Sequence, residues 1–325
     1  MGLHRRQFLL LAGLGAACSL SARAGFAQTY PTRPIRWIVP FPAGGTTDLV
    51  ARLMGAWLSK RLGQQVVIEN KPGGGTNVGV EAAVAAPADG YTLLFTLSTN
   101  AINPWLYKSL PFDFQRDIVA VAGLAELPLV LEVNPSVPIR TVADLTAYAK
   151  SNPGKLNVAS FGARTISDLA IELLEITAGI DVVRVPYPGD APMLIDLVSG
   201  RVQAAVDALP ASLPHIRAKE VRALAVLSRR RDAAIPDLPT VAETIPGFDV
   251  TPWTGVGVPR GTPAAIVERL NREINAGLAD RAIKAQLAAV GGTPLIYTAE
   301  QARALIATDT AKWGQIINRA GIKPQ

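Results

Sequence analysis

The feature that most constrains the fold is a repeated alternation of strand-like and helix-like segments, joined by turns rich in proline and glycine. The clearest case is the β-branched run Ile35–Val39, which is followed by the turn Pro-Phe-Pro-Ala-Gly-Gly at 40–45. Apolar residues then recur with a helical period over Thr46–Leu62, and Gly63 ends the pattern. Such alternation predicts an α/β protein with largely parallel sheets.

The same reading extends along most of the chain. It predicts further strands at 66–69, 91–96, 156–160, 182–185, 202–208 and 223–227, and helices at 78–86, 142–150, 166–177, 191–198, 263–279 and 299–320. Two apolar runs lie at 118–124 and 127–133. The stretch 96–104 ends a strand with exposed hydroxyls and an amide that could line a cleft, and the alternative is a polar loop that binds its own backbone. We expect two lobes, 28–125 with 229–325 and an inserted lobe 126–228, joined by short hinge strands.

Residues 1–27 are predicted to be a cleaved export signal rather than part of the fold. Arg5 and Arg6 precede an apolar run and a small-residue cleavage region at 24–27. The arginine pair resembles a twin-arginine signal, and the alternative is an ordinary secretory signal. Cleavage after Ala27 competes with cleavage near Ala24. The only cysteine, Cys18, lies in this segment, with lipidation there as a further alternative.

Composition excludes several classes of protein. Removing the three leader arginines from the formal net charge of +6 leaves +3, and the longest basic run is Arg-Arg-Arg at 229–231. We therefore expect no nucleic-acid partner. Without Cys18 the chain has neither thiol chemistry nor disulfides, so it must be held by its apolar core.

Two turns have the features of anion sites. The first, at 40–45, precedes a predicted helix, and a related Val-Pro-Tyr-Pro-Gly turn occurs at 185–189. The backbone N–H groups and the dipole of a helix start both favour anions. Gly44, Gly45 and Thr46 could cradle a carboxylate, or they could form an ordinary glycine turn with Asp48 complementing the dipole.

Two charged side chains near turns, Arg164 and Asp190, have two interpretations each. Arg164 could pair with a ligand carboxylate or lie on the surface beside nearby acids. Asp190 could recognise an ammonium group, although helix capping is the favoured role. Asp168 lies in the predicted helix that follows the turn carrying Arg164.

Catalytic and metal-binding patterns are absent from the sequence after the leader. Its one histidine, His215, is expected at a helix start or on the surface, and the sequence contains neither a nucleophile elbow nor a Walker A loop. No clustered His, Cys and carboxylate ligands suggest zinc. We therefore expect no enzyme activity, no cofactor and no metal.

Ten stretches of the sequence match the pattern of one known family, in the same order: 30–35, 39–48, 69–73, 89–94, 101–104, 133–136, 153–157, 185–187, 222–226 and 261–264. Through these stretches the chain resembles the periplasmic solute receptors of tripartite tricarboxylate transporters, the Bug family. The resemblance implies the type II periplasmic-binding-protein (Venus flytrap) fold, which agrees with the two predicted lobes.

The resemblance also implies a ligand site between the lobes, in which the first turn holds one ligand carboxylate through backbone N–H groups. Its implied first-lobe residues are Phe41, Pro42, Ala43, Gly44, Gly45, Thr46 and Asp48, with Ser98, Thr99 and Asn100 nearby. Its implied second-lobe residues are Ser160, Phe161, Gly162, Ala163, Thr165, Tyr187 and Asp207. To these the charged side chains Arg164 and Asp190 are added.

The chain departs from the family pattern at the second-lobe turns. Where the family commonly has Ser-Gly-Asn-Gly-(Ser/Thr)-x-x-His, this chain has Phe-Gly-Ala-Arg-Thr at 161–165, with Asp168 in the histidine position. Asp190 replaces a usually small neutral residue. Arg164 favours a second carboxylate on the ligand, whereas Asp168 or Asp190 favours an ammonium.

These observations predict a monomeric periplasmic receptor that binds a small organic carboxylate. The ligand class is open among dicarboxylates, aromatic acids and amino acids. The expected partners are the large and small membrane subunits of the transporter. The alternative is a receptor that presents its closed form to a sensor kinase.

Overall fold

The computed structural model describes residues 30–324. The predicted export signal over residues 1–27, with its arginine pair and Cys18, lies outside the described residues. The three described residues before Arg33 belong to a separate amino-terminal unit, and the chain from Arg33 onward forms one compact unit. The description below concerns that compact unit.

Strands and helices alternate along the chain. The strands are β1 (Ile35–Val39), β2 (Val66–Asn70), β3 (Thr92–Leu97), β4 (Ile118–Glu126), β5 (Leu129–Val133), β6 (Asn157–Ser160), β7 (Val183–Pro186), β8 (Ala204–Ala208), β9 (Arg222–Val226), β10 (Trp253–Pro259) and β11 (Thr293–Pro294). The helices are α1 (Thr46–Leu62), α2 (Asn77–Val84), α3 (Ser98–Leu106), α4 (Phe114–Asp117), α5 (Val142–Ser151), α6 (Ile166–Ala178), α7 (Asp190–Val198), α8 (Leu209–Arg217), α9 (Ala264–Ala279), α10 (Arg281–Ala289) and α11 (Ala299–Ala320).

The strands form two sheets, which define two lobes. The first sheet has six strands in the order β11-β4-β10-β3-β1-β2, and the second has five in the order β7-β6-β8-β5-β9. We call the six-stranded sheet with its helices the first lobe, and the five-stranded sheet with its helices the second lobe. The chain passes from β4 to β5 through Leu127 and Pro128, and it returns through residues 227–252. The exact residue limits of the lobes predicted from the sequence stay a prediction.

The sheets are mixed, so the prediction of largely parallel sheets is wrong. Strand β1 pairs parallel with β2 and β3, and β6 pairs parallel with β7 and β8. Strand β10 is antiparallel to β3 and β4, and β5 is antiparallel to β8 and β9. The antiparallel pairs follow from the inserted arrangement, because β4, β5, β9 and β10 flank the two passages between the lobes.

The alternative of a polar loop at 96–104 is also wrong, since α3 begins directly after β3. Its polar residues are buried and bonded rather than exposed. Asn100 Oδ1 accepts a hydrogen bond from the backbone N–H of Leu97 (2.8 Å), and Asn100 Nδ2 donates to Thr76 Oγ1 (2.8 Å). Tertiary partners therefore stabilise a helix that its composition does not favour.

Local signals account for the elements that were predicted well. Helix α1 ends at Gly63, which has φ of 70° and donates its N–H to the Ser59 carbonyl. Helix α11 starts with the reciprocal pair Thr298 and Gln301. The strands are largely buried, and Ile35, Trp37 and Ile38 of β1 are fully buried. Among the described residues, no helix combines the length and the hydropathy needed to cross a bilayer.

Candidate functional site

Five helix starts from both lobes meet at one small cavity, which we call the deep cavity. Its volume is about 40 Å³. The first lobe contributes Thr46 and Thr47 of α1 and Thr99 of α3. The second lobe contributes Ile166 of α6, Asp190 of α7 and Ala208, which caps α8. Because each helix start carries a partial positive charge, their meeting creates a field that attracts anions.

The rest of the deep cavity is mostly apolar. Its remaining lining residues are Phe41, Leu97, Leu127, Leu129, Phe161, Pro252, Trp253 and Thr254. Among residues 30–324, Asp190 is the only charged residue that lines this cavity. The Thr46 hydroxyl is buried there beside Asp190. The cavity is therefore built for a small group with polar contacts at one wall.

The first turn and Asp190 face each other across the cleft. The backbone N–H of Thr46 donates to Asp190 Oδ2 at 2.8 Å, so a second-lobe carboxylate occupies the start of α1. The approach is close, since a Cβ on Gly45 would lie 2.9 Å from Asp190 Oδ2. Gly189, which has φ of 125°, packs beside Pro42 in the same region. Burial raises the pKa of Asp190, and the hydrogen bond from the Thr46 N–H offsets part of that rise.

Two further contacts join the lobes at the cleft. The backbone N–H of Ile166 donates to Thr99 Oγ1 at 3.3 Å. The Phe41 and Phe161 rings meet edge to face, with centroids 5.8 Å apart and planes at 75°. Both rings line the deep cavity and also a larger outer cavity of about 1070 Å³. The aromatic pair therefore forms the boundary between the two cavities.

The outer cavity carries charges of both signs. Arg164 lines it, with the guanidinium 4.7 Å from the Tyr107 ring centroid. Arg164 has φ of 57°, and its backbone N–H donates to Asp168 Oδ2 at 2.9 Å. Arg184 pairs with Glu172 at 2.8 Å, and Lys323 also lines this cavity. A ligand that extends outward from the deep cavity thus meets both cationic and acidic side chains.

The Asp48 carboxylate braces the first turn. Its Oδ2 accepts hydrogen bonds from the Gly44 N–H (3.0 Å) and from Arg52 Nε (2.8 Å), and its Oδ1 accepts one from Asn70 (3.1 Å). Burial raises the pKa of Asp48, but these bonds outweigh burial and hold the pKa below its usual value. Asp48 shapes the backbone of the turn, and it lines none of the cavities described here.

Next to Asp190 lies a buried cluster of two acids, Asp207 and Glu132, and the hydroxyl of Ser212. Ser212 Oγ lies 2.9 Å from Asp207 Oδ2 and 2.8 Å from Glu132 Oε1. Burial raises the pKa of Glu132 to about 8. Burial, together with the charges of Asp190 and Glu132, raises the pKa of Asp207 well above its usual value. Ser212 has one hydroxyl proton, so it cannot donate to both carboxyl groups at once. One carboxyl group of this cluster therefore stays protonated near neutral pH.

The structure brings most of the expected site residues to the cleft. Those lining the deep or outer cavity, or a small recess between the first turn and the start of α7, are Phe41, Pro42, Ala43, Gly45, Thr46, Thr99, Phe161, Gly162, Ala163, Arg164, Thr165, Tyr187 and Asp190. Those lining none of these three cavities are Gly44, Asp48, Ser98, Asn100, Ser160 and Asp207. Ser98 bonds the backbone of Trp253 instead, with its Oγ accepting from the Trp253 N–H at 2.8 Å.

Sequence reasoning missed several residues of the cleft. Trp253 lies on β10, which was not predicted, and Glu132 lay inside a run treated as wholly apolar. A single acid inside an apolar strand indicates a buried carboxyl group. Such a group needs a proton or a hydrogen-bond partner, because burying an unpaired charge is costly. Thr47, a second hydroxyl at the first turn, also lines the deep cavity, although the residues implied by the resemblance do not include it. Among residues 30–324, no group of three or more His, Cys, Asp or Glu is placed to hold a metal ion.

Comparison with known proteins gives the family. The family model "Tripartite tricarboxylate transporter family receptor" matches residues 50–322. Protein BugT of Bordetella pertussis is 38% identical over 319 residues, which cover 97% of this chain and 96% of BugT. A solved R. palustris structure with adipate superposes with a TM-score of 0.88 at 37% identity, covering 91% of this chain and 100% of that one.

A second solved structure, MatC from Rhodopseudomonas palustris with bound malate, has a TM-score of 0.81 at 31% identity and covers 89% of this chain and all of that one. The two-lobe architecture is thus shared with solved members of this group. Because the family is one of receptors, the chain is not an enzyme. The chain belongs to the tripartite tricarboxylate transporter receptor family.

Proposed function

We propose that this protein is a periplasmic receptor that binds a small organic carboxylate between its lobes and delivers it to membrane subunits. The observation that carries the proposal is the meeting of five helix starts, from both lobes, at the deep cavity. Such an arrangement stabilises an anion only when the lobes are together. The adipate and malate in the two solved relatives support a small carboxylate as the ligand class.

The geometry supports a binding mode that uses both cavities. The deep cavity, at about 40 Å³, has room for a group of a few atoms, whereas the outer cavity measures about 1070 Å³. A carboxylate group bound among the helix starts leaves the rest of the ligand to extend past Phe41 and Phe161 toward Arg164. Closure then results from binding, because ligand contacts with both lobes favour the state in which the lobes meet.

The periplasmic location and the delivery step rest on the family and on the predicted export signal at residues 1–27. The closed form presents one continuous surface made by both lobes, which a membrane partner can recognise. Deleting the gene and measuring growth on the identified ligand tests delivery. Loss of growth supports transport, whereas normal growth with altered gene expression favours the sensor-kinase alternative.

The binding proposal is tested by calorimetry with adipate, malate, benzoate and glutamate. Gly45→Val is expected to weaken the best of these ligands at least about tenfold, since the new side chain separates the α1 start from Asp190. Ala56→Val, on the exposed face of the same helix, is the matched control and should bind normally. Failure of every carboxylate to bind, or equal binding by the Gly45 variant, would contradict the assignment of the cleft.

A further inference from the structure

Asp190 gives the deep cavity a feature that carboxylate binding alone does not explain. It is buried at the start of α7, and it is the only charged residue among residues 30–324 that lines the cavity. Its Oδ2 already accepts the N–H of Thr46, so an anion position at the start of α1 is filled by the protein itself.

The titratable groups next to Asp190 are further acids. Asp207 and Glu132 lie buried on β8 and β5, held through Ser212. Burial raises the pKa of both groups, and the charge of Asp190 adds to the rise at Asp207. The basic side chains Arg164, Arg184 and Lys323 line the outer cavity and none of them lines the deep one.

A second carboxylate placed beside Asp190 would be repelled within a cavity that excludes water. A protonated nitrogen would instead form a charge-assisted hydrogen bond with Asp190, whose carboxylate has positions for about four hydrogen bonds. The buried Thr46 hydroxyl, which lies beside Asp190, can accept a further N–H. The helix starts around the cavity remain available for the carboxylate of the same ligand.

We infer that Asp190 is a specificity-determining residue, and that the ligand carries a protonated amino nitrogen beside its carboxylate. This inference rests on the proposed function and narrows it from small carboxylates to amino acids or related zwitterions. Asp190 binds the ammonium, the helix starts bind the adjacent carboxylate, and the remaining part of the ligand extends into the outer cavity. The departure from the small neutral residue expected at this position then has a direct chemical role.

The test compares ligands of equal carbon skeleton with and without an amino group. The pairs are succinate with aspartate, glutarate with glutamate, adipate with 2-aminoadipate, and 3-phenylpropanoate with phenylalanine, each measured by calorimetry at pH 7. We expect the amino member of the best pair to bind at least about tenfold more tightly, as a buried charge-assisted hydrogen bond requires. This comparison needs only the unmodified protein.

The variant Asp190→Asn tests whether Asp190 causes the preference for the amino member of each pair. The substituted amide keeps the shape of the side chain and an oxygen that can accept the Thr46 N–H, so the fold should be retained. We expect the preference for the amino member to fall at least about tenfold, while Asp181→Asn, an exposed acid on the same lobe, leaves it unchanged.

The outcomes separate this inference from the proposed function. Tighter binding of the diacids than of their amino partners, or an unchanged preference in Asp190→Asn, overturns the role of Asp190 and leaves the carboxylate receptor standing. Binding of none of the eight compounds overturns both. An amino preference that Asp190→Asn removes supports both.

Discussion

At the scale of single residues, Asp48 and Asp190 have different surroundings, although each lies in the first turn of a helix. Asp48 accepts three hydrogen bonds, which stabilise the first turn. Asp190 combines a bond to the start of α1 with a place on the cavity wall. Two acids that look equivalent in the sequence, each in the first turn of a helix, therefore have different roles.

Glu132 makes stability depend on pH. Burial raises the pKa of Glu132 to about 8 in the folded protein, above its ordinary value near 4.5. Between these two values the folded state binds more protons than the unfolded state, so the free energy of unfolding falls as pH rises from about 5 to 8. Glu132→Gln should flatten this slope and make the protein relatively more stable at pH 8.

Urea unfolding at several pH values measures the effect. Some slope should remain in Glu132→Gln, because burial also raises the pKa of Asp207. Glu268→Gln, at an exposed position of α9, serves as the control and should keep the slope of the unmodified protein. A slope that Glu132→Gln does not change would show that Glu132 is not the proton-binding group.

At the scale of elements, the long helix α11 is tied to β10 beside the cleft. Trp253 Nε1 donates to Asp309 Oδ2 at 2.7 Å, and both residues are buried. Burial raises the pKa of Asp309, and the indole N–H offsets part of the rise. The bond therefore links a residue that lines the deep cavity to α11. This helix begins after the cap residue Thr298 and ends at Gly321.

Trp253→Phe is expected to lower the free energy of unfolding by about 1–3 kcal/mol, because it removes a donor from a buried carboxylate. Trp57→Phe, which removes an indole bond to the carbonyl of Glu273, is the matched control, with an expected loss of about 0.5–1.5 kcal/mol. Urea unfolding measures both variants. Equal losses would indicate that the charged acceptor adds nothing to the link between β10 and α11.

Elements with strong local signals were predicted closely, and those without them were missed. Strand β1 and helices α1 and α11 have the predicted bounds, because turn residues, caps and periodic apolar positions mark their limits. Helix α3 was missed because its serine, threonine and asparagine residues favour loops unless a tertiary partner binds them. Strand β10 was missed because it pairs with β3 and β4, far from it in sequence.

At the scale of the whole molecule, the proposed function couples binding to closure through contacts that join the lobes. The Ile166 N–H to Thr99 Oγ1 bond is one of them, and the Phe41–Phe161 pair is another. Each contact exists only when the lobes meet, so each contributes to the affinity for a ligand that requires closure.

Thr99→Val is expected to weaken ligand binding about 2- to 10-fold, as loss of one neutral hydrogen bond would. Calorimetry measures affinity, and small-angle scattering of the ligand-saturated protein measures closure. Thr146→Val is the control, since the Thr146 hydroxyl bonds within its own helix to the Val142 carbonyl. Unchanged affinity in Thr99→Val would mean that this contact does not contribute to closure.

The sequence by itself determined the two-lobe α/β class and most element limits, because these depend on local periodicity, turn chemistry and helix capping. That the first turn is an anion site stays a prediction. The tertiary structure alone decided that Asp190 meets Thr46, that Asp48 braces its own turn, and that Glu132 and Asp207 share Ser212. These relations join residues up to 144 positions apart. Local patterns cannot specify them, because the partner of a charged side chain is set by how the sheets and helices pack.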